Sequence, residues 1–165
     1  MNTNVNLIFK RSEILYDVSN YSFIEGDIMK SDDEHLKHQV FDIGQKGNVD
    51  RVIRILSLAH AECVEMLFPY TNRETSNIIL DNILSEPEEY HITMCIPHNF
   101  SETTVELLKN LIHEYLVCRV LEDWMSITKP ESQANWRDKL ESIKRKIQLS
   151  LTSRGTVMRR RQSPF

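Results

Sequence analysis

Glycine and proline are scarce in this chain of 165 residues, with 4 and 5 copies respectively. A turn-rich all-β fold needs such residues at its many corners, so their scarcity favours long helices instead. No apolar run approaches the ~20 residues that cross a bilayer, and no membrane span is expected. The stretch MNTNVNLIFKRSEI has no charged segment leading into an apolar one, so no secretory leader is read there. The three cysteines, Cys63, Cys95 and Cys118, form no CxxC pair and sit among apolar residues. An odd, scattered set argues against a disulfide framework and fits a reducing, intracellular compartment. Catalytic signatures are missing as well: there is no Gly-rich phosphate loop, GxSxG, HExxH or Asp-rich calcium loop. The expectation is a soluble protein with no enzymatic activity, no metal and no cofactor.

What is present reads as a folded domain. Hydrophobic residues make up 41% and charged residues 27%, and a chain of this size buries roughly 70% of its unfolded surface. The net charge of −4 conceals an asymmetry. Residues 154–165 hold Arg154, Arg159, Arg160 and Arg161 and no acid, so the total of −4 less their +4 leaves −8 on residues 1–153. An acidic body argues against general nucleic-acid binding by the folded part.

Residues 1–47 are the least legible segment. NLIF has the composition of a short strand, and SEILYDVSNYSFIEGD fits a helix (Ile14, Val18, Tyr21) somewhat better than a strand (Ile14, Tyr16, Val18). Ser31 and Glu34 have capping-box spacing before a short helix with Leu36, Val40 and Ile43, which Gly44 and Gly47 should end. Residues 48–153 read as a helical core domain. Asn48 is placed as the cap of a helix running to Phe68, whose Val52, Ile53, Leu56, Ala59 and Cys63 recur near every 3.6 residues. A looser helix is expected over 74–84. Tyr90, Ile92, Met94 and Ile96 then alternate, which predicts one strand over about 90–96.

Ser101 opens the longest helix, to about Ile127, apolar over well over half its circumference. Such a helix is central to a core or pressed against a second partner as well. Thr128 and Glu131 have capping-box spacing around Pro130, opening an amphipathic helix with Trp136, Leu140, Ile143, Ile147 and Leu151 on one stripe. The tight connection predicts an antiparallel hairpin. Gly155 is the candidate cap of that helix, and residues 154–165 form an extended basic arm. The fold class expected is mainly α: a helical bundle around a long hairpin, with one short strand and an extended tail.

Single residues offer little chemistry. His35 and His38 stand one turn apart beside acids but on a solvated face, and His60 and His113 suit a core edge. Cys63 and Cys118 lack the polar setting that activates a thiol. Glu86, Glu88 and Glu89 precede a strand without the Lys that a metal nuclease requires. Surfaces carry more. Arg137, Lys139, Lys144, Arg145 and Lys146 make the outer face of the last helix basic, at the same end of the chain as the arm. Trp124 and Trp136 flank the hairpin turn, where core packing is the default reading and a subunit contact the alternative; with Arg137, Lys144 and Arg145 they are the candidate subunit or partner contacts. Arg154, Val157, Met158, Arg159, Arg160, Arg161 and Phe165 are candidate contacts of a docking arm, with arginines pairing carboxylates and apolar residues anchoring them.

The order of elements carries a resemblance. A helical pair, the strand EYHITMCIPHNFS, the helix TTVELLKNLIHEYLVCRVLEDWMSIT, the amphipathic PESQANWRDKLESIKRKIQLSL and a basic tail together resemble head-to-tail connector (adaptor) proteins of tailed bacteriophages, and neck proteins of phages and prophages of Bacteroides-type bacteria in particular. The resemblance covers roughly residues 48–165. It implies a non-enzymatic ring of identical subunits, usually twelve, made in the host cytoplasm and placed in the virion neck. The ring sits under the portal protein, sends C-terminal segments into it and meets a further neck or tail protein. DNA only passes through the channel, and an acidic body suits such passage. The over-apolar helix 102–127 would supply area for subunit contacts. The competing reading is a small nucleic-acid-binding regulator gripping phosphates with its basic helix and tail.

Overall fold

The computed structural model describes residues 2–29, 33–71, 81–98 and 100–152. Strand β1 spans Asn2–Lys10 and strand β2 spans Glu89–Pro97, each of 9 residues. They pair antiparallel along their whole length, from Asn2 opposite Pro97 to Lys10 opposite Glu89. The alternation read over 90–96 thus marks a true strand. Its partner is the N-terminal stretch that contains NLIF. Leu7 and Phe9 of β1 join Tyr90, Ile92, Met94 and Ile96 of β2 on the buried face. The other face carries Asn4, Asn6, Ile8 and His91, all exposed.

Five helices complete a mainly α fold with this short sheet: α1 (Arg11–Asp27), α2 (Glu34–Phe41), α3 (Lys46–Met66), α4 (Glu102–Thr128) and α5 (Pro130–Thr152). A single 3₁₀ turn, Asp42–Gly44, joins α2 to α3. The N-terminal segment whose structure the sequence left open is part of the same core. Leu7, Phe9, Ile14, Val18, Val40 and Ile43 lie in one buried cluster with residues of α3, β2, α4 and α5.

Local caps differ from the spacing-based expectation. Asp33, rather than Ser31, accepts the His35 N–H at 2.9 Å to cap α2, and Ser31 lies outside the described residues. Gln45 precedes α3, and Asn48 lies in its first turn with its amide donated to the Asp42 carbonyl at 2.8 Å. The Thr128 hydroxyl donates back to the Trp124 carbonyl at 3.0 Å, completing α4 instead of capping α5. The helix expected over 74–84 is irregular chain at residues 81–84, and residues 72–80 lie outside the described residues.

Helix α4 is the axis of the molecule. It packs on α1, α2, α3 and α5, which accounts for apolar residues around most of its circumference. Leu108, Ile112, Leu116 and Leu121 are fully buried along it, each worth ~1.5–3 kcal/mol of transfer free energy. Lys129 alone separates α4 from α5. The two helices therefore run antiparallel as expected, and ion pairs such as Lys139–Glu114 at 3.4 Å fix their register.

Candidate functional site

Both tryptophans flanking the hairpin turn pack in the core, the default reading for them. Trp124 and Trp136 are each 7% exposed. The Trp124 indole donates to the Val40 carbonyl at 3.0 Å, and that of Trp136 donates to the Glu25 carboxylate at 3.1 Å. A buried indole N–H needs an acceptor, and here each has one inside the chain. They are core residues of this fold.

Glu25, near the end of α1, is the hub of that corner. Its carboxylate also receives Lys129 Nζ at 2.8 Å and the Ser132 hydroxyl at 3.0 Å. The Lys129 ammonium donates in addition to the Glu25 carbonyl at 3.1 Å. One acid from α1 thus clasps the α4–α5 turn. Beside it, Tyr21 meets Trp136 edge to face at 5.4 Å, and Lys139 lies 4.9 Å from the Tyr21 ring centre. Burial works against the Lys139 charge, but neighbouring Cys118, Tyr21 and Glu114 outweigh it and raise its pKa.

A second hub ties α3, α4 and α5. Glu122 accepts from Arg119 at 3.0 Å, Gln133 at 3.0 Å and Arg137 at 3.1 Å. Arg119 reaches on to Glu62 at 3.5 Å, and the Tyr115 hydroxyl donates to the Glu62 carboxylate at 2.8 Å. Burial, and then the Glu62 hydrogen bond and charge, push the Tyr115 phenol well above its ordinary range. Arg51 grips Asp123 with two bonds of 3.0 and 2.9 Å.

These pairings change the basic face read on α5. Arg137 is spent on Glu122 and Lys139 on Glu114 and the rings, while Glu131, Asp138 and Glu141 share the exposed side. Lys144, Arg145 and Lys146 remain, with no ion pair to any described residue. The positive surface is therefore a short cluster near the end of α5. Arg154, Val157, Met158, Arg159, Arg160, Arg161 and Phe165 lie outside the described residues.

The remaining candidates have structural partners. His113 bonds Asp17 at 2.7 Å, joining α4 to α1, and His60 Nε2 meets the His91 carbonyl at 2.9 Å. His35 and His38 are exposed on α2. Glu86 faces Arg11 at 4.0 Å, and Glu89 faces His91 at 3.4 Å. Burial drives the Cys63 thiol far up, helped by Glu62, and pushes Cys118 up to about 11 although Lys139 draws it down. Among the described residues no group of three or more His, Cys, Asp or Glu could hold a metal, and no helix is long and apolar enough to cross a membrane.

Spare apolar surface lies on two helices. On α4, four neighbouring helices cover most of the apolar circumference, and Leu107 and Ile127 remain exposed. On α1, Tyr16, Phe23, Ile24 and Ile28 are 68%, 59%, 53% and 63% exposed, opposite a face already filled by Ile14, Val18, Ser22 and Gly26. The signal was present: apolar residues on both sides of this helix blurred its period. Comparison with family models, curated proteins and solved structures finds no match for this chain.

Proposed function

We propose that this protein is a structural subunit of a tailed-phage neck, forming a ring that joins the portal to tail components and lets DNA pass. The observation that carries this reading is the second apolar face of α1. Tyr16, Phe23, Ile24 and Ile28 stand in solvent on a helix whose inner face is already packed, and large side chains grouped in this way mark association surfaces. A ring subunit buries such a strip against a neighbour of the same kind, and a head-to-tail contact closes into a ring when its rotation permits.

The tight clasp of α1 on the hairpin supports the role as well, because a load-transmitting ring requires subunits that move as one body. Residues 154–165 act as the docking arm. Val157, Met158 and Phe165 supply apolar anchors, and Arg154 with Arg159–Arg161 pair carboxylates of the portal. The nucleic-acid reading draws less support, since acids break up the basic side of α5 and leave only Lys144, Arg145 and Lys146 uncompensated.

Sedimentation velocity on the protein alone and co-expressed with a portal protein tests the proposal. The expected result is a monomer or weak oligomer alone and a ring-sized complex with the portal. If the two never co-sediment, the connector role is lost. If deletion of residues 154–165 leaves portal association unchanged, the arm has another purpose.

A further inference from the structure

The outer edge of β1 is an open template for strand addition. The Cys95 N–H donates to the Tyr70 carbonyl at 2.8 Å, and the His91 carbonyl meets His60 at 2.9 Å. Those β2 groups therefore point away from β1, while the Arg11 N–H points inward to the Glu88 carbonyl at 2.9 Å. In an antiparallel pair, inward and outward residues alternate. With Asn4 opposite Cys95 and Ile8 opposite His91, the N–H and C=O groups of Asn2, Asn4, Asn6 and Ile8 face the outer edge, while the Lys10 C=O begins the bonding of α1. No backbone bond joins those four residues' outward groups to another described residue outside the sheet. Long unprotected edges of this kind readily take up another strand.

The space beside that edge is shaped for one extended segment. A hollow of about 410 Å³ lies between Thr3 and Val5 of β1 and Glu102, Val105 and Glu106 of α4. A second, of about 550 Å³, lies between Ile8–Lys10 and Lys109, Asn110 and His113. Both are lined by the first half of α4, so strand and helix form the two walls of a furrow. An added strand would take main-chain hydrogen bonds from β1 and send alternate side chains towards α4. A second β1 with its whole sheet and helix attached is too bulky for a furrow walled by α4. A slender segment fits better.

Charge indicates which segment. Glu102 and Glu106 at one end and Glu13 and Glu89 at the other outnumber Lys10 and Lys109, while Val5, Ile96 and Val105 supply apolar lining. The complement is an extended, basic segment with apolar side chains, and SRGTVMRRRQSPF is one. Because α5 returns antiparallel to α4, Thr152 finishes level with the first turns of α4. Residues 153–165 reach about 40 Å at ~3.3 Å per residue, against about 30 Å for β1. We propose that residues 153–165 of this chain bind the β1–α4 furrow as a third strand, with one of the adjacent Val157 and Met158 in the apolar lining and the arginines of 159–161 near its carboxylates. The segment is the chain's own C-terminal stretch.

Hydrogen exchange on the isolated full-length protein tests this without a portal, so it stands or falls apart from the neck reading. The amides of Asn4 and Ile8 have no partner in the two-stranded sheet and report only on an added strand. They are expected to exchange about tenfold more slowly than in the R159E/R160E/R161E chain, as for an edge covered ~90% of the time. Asn6→Pro supplies a second arm. It removes an outward N–H and no backbone bond of the ladder, besides the exposed side-chain contacts to His91 and Thr93; an edge strand tolerates proline at such a position, yet its ring obstructs a third strand. Val5 and Leu7 should stay protected in that variant while Asn4 and Ile8 lose protection. Protection that depends on protein concentration assigns the segment to a second copy, and independence assigns it to the same chain. Equal Asn4 and Ile8 exchange in wild type and R159E/R160E/R161E overturns the proposal.

Discussion

At the residue scale, Glu25 and Gly26 show how much of this fold depends on single positions. Replacing Glu25 by Ala leaves the nearly buried Lys129 ammonium, the Ser132 hydroxyl and the Trp136 indole without their acceptor. Breaking one side of a buried ion pair costs ~3–5 kcal/mol, and the residual exposure of Glu25 places E25A near the lower end. Urea unfolding followed by circular dichroism measures it, and a loss below ~1 kcal/mol would show the clasp to be incidental. Next to it, Gly26 lies against Phe41, and a Cβ there would overlap the Phe41 ring. Alanine ordinarily gains up to ~1 kcal/mol over glycine inside a helix. In G26A we expect a net loss of ~1–3 kcal/mol instead, because the Phe41 ring, stacked on Phe23 at 5.1 Å, must move. The cysteines differ in access. Cys95 is exposed while Cys63 and Cys118 are buried with raised pKa values. Iodoacetamide on the native protein should modify Cys95 and leave the other two intact until denaturant is added.

At the element scale, legibility followed the number of faces that an element buries. Helix α3 and helix α5 bury one stripe, and their periods were readable from Val52, Ile53 and Leu56 and from Trp136, Leu140 and Ile143. Strand β2 buries one face and alternates accordingly. Helix α1 buries Ile14 and Val18 and also exposes Tyr16, Ile24 and Ile28, so its pattern fitted two periods at once. β1 is a poor strand by composition, with Asn2, Asn4 and Asn6 on its open face. Only the pairing with β2, 85 residues away at the Asn6–His91 side-chain contact, makes it one, and a local pattern does not report such a contact. The caps failed for a similar reason: Thr128 and Asn48 found acceptors in the preceding turns that spacing alone does not reveal. The second face of α1 also separates stability from assembly. Changing Tyr16, Ile24 and Ile28 to Ser should alter stability by about 0.5 kcal/mol or less at each position, because none of them packs in the core. The same triple variant should lose ring formation with the portal in sedimentation. If the ring persists, this strip is not a subunit contact.

At the scale of the whole molecule, the deciding quantity is the division of charge between body and arm. The hubs at Glu25 and Glu122 use basic residues internally and leave the surface of the body acidic, with −8 over residues 1–153 against +4 over residues 154–165. A protein built to hold DNA would concentrate positive charge on one face, and each phosphate it neutralised would add about −0.9 to the slope of log K against log salt. Here the net negative charge of residues 1–153 repels the duplex, and the four arginines of residues 154–165 oppose it. We expect no measurable binding of a 30-base-pair duplex by fluorescence anisotropy at about 0.15 M salt, and weak binding below about 0.05 M that R159E/R160E/R161E abolishes. On the proposed neck role, portal association should respond differently, because arginine pairing would combine with burial of Val157, Met158 and Phe165. Raising salt to about 0.5 M should weaken that complex without dissolving it, since screening acts on the exposed pairs and leaves the apolar contribution in place. Tight, steeply salt-dependent duplex binding at physiological ionic strength would reverse this ordering and make the arm a nucleic-acid grip.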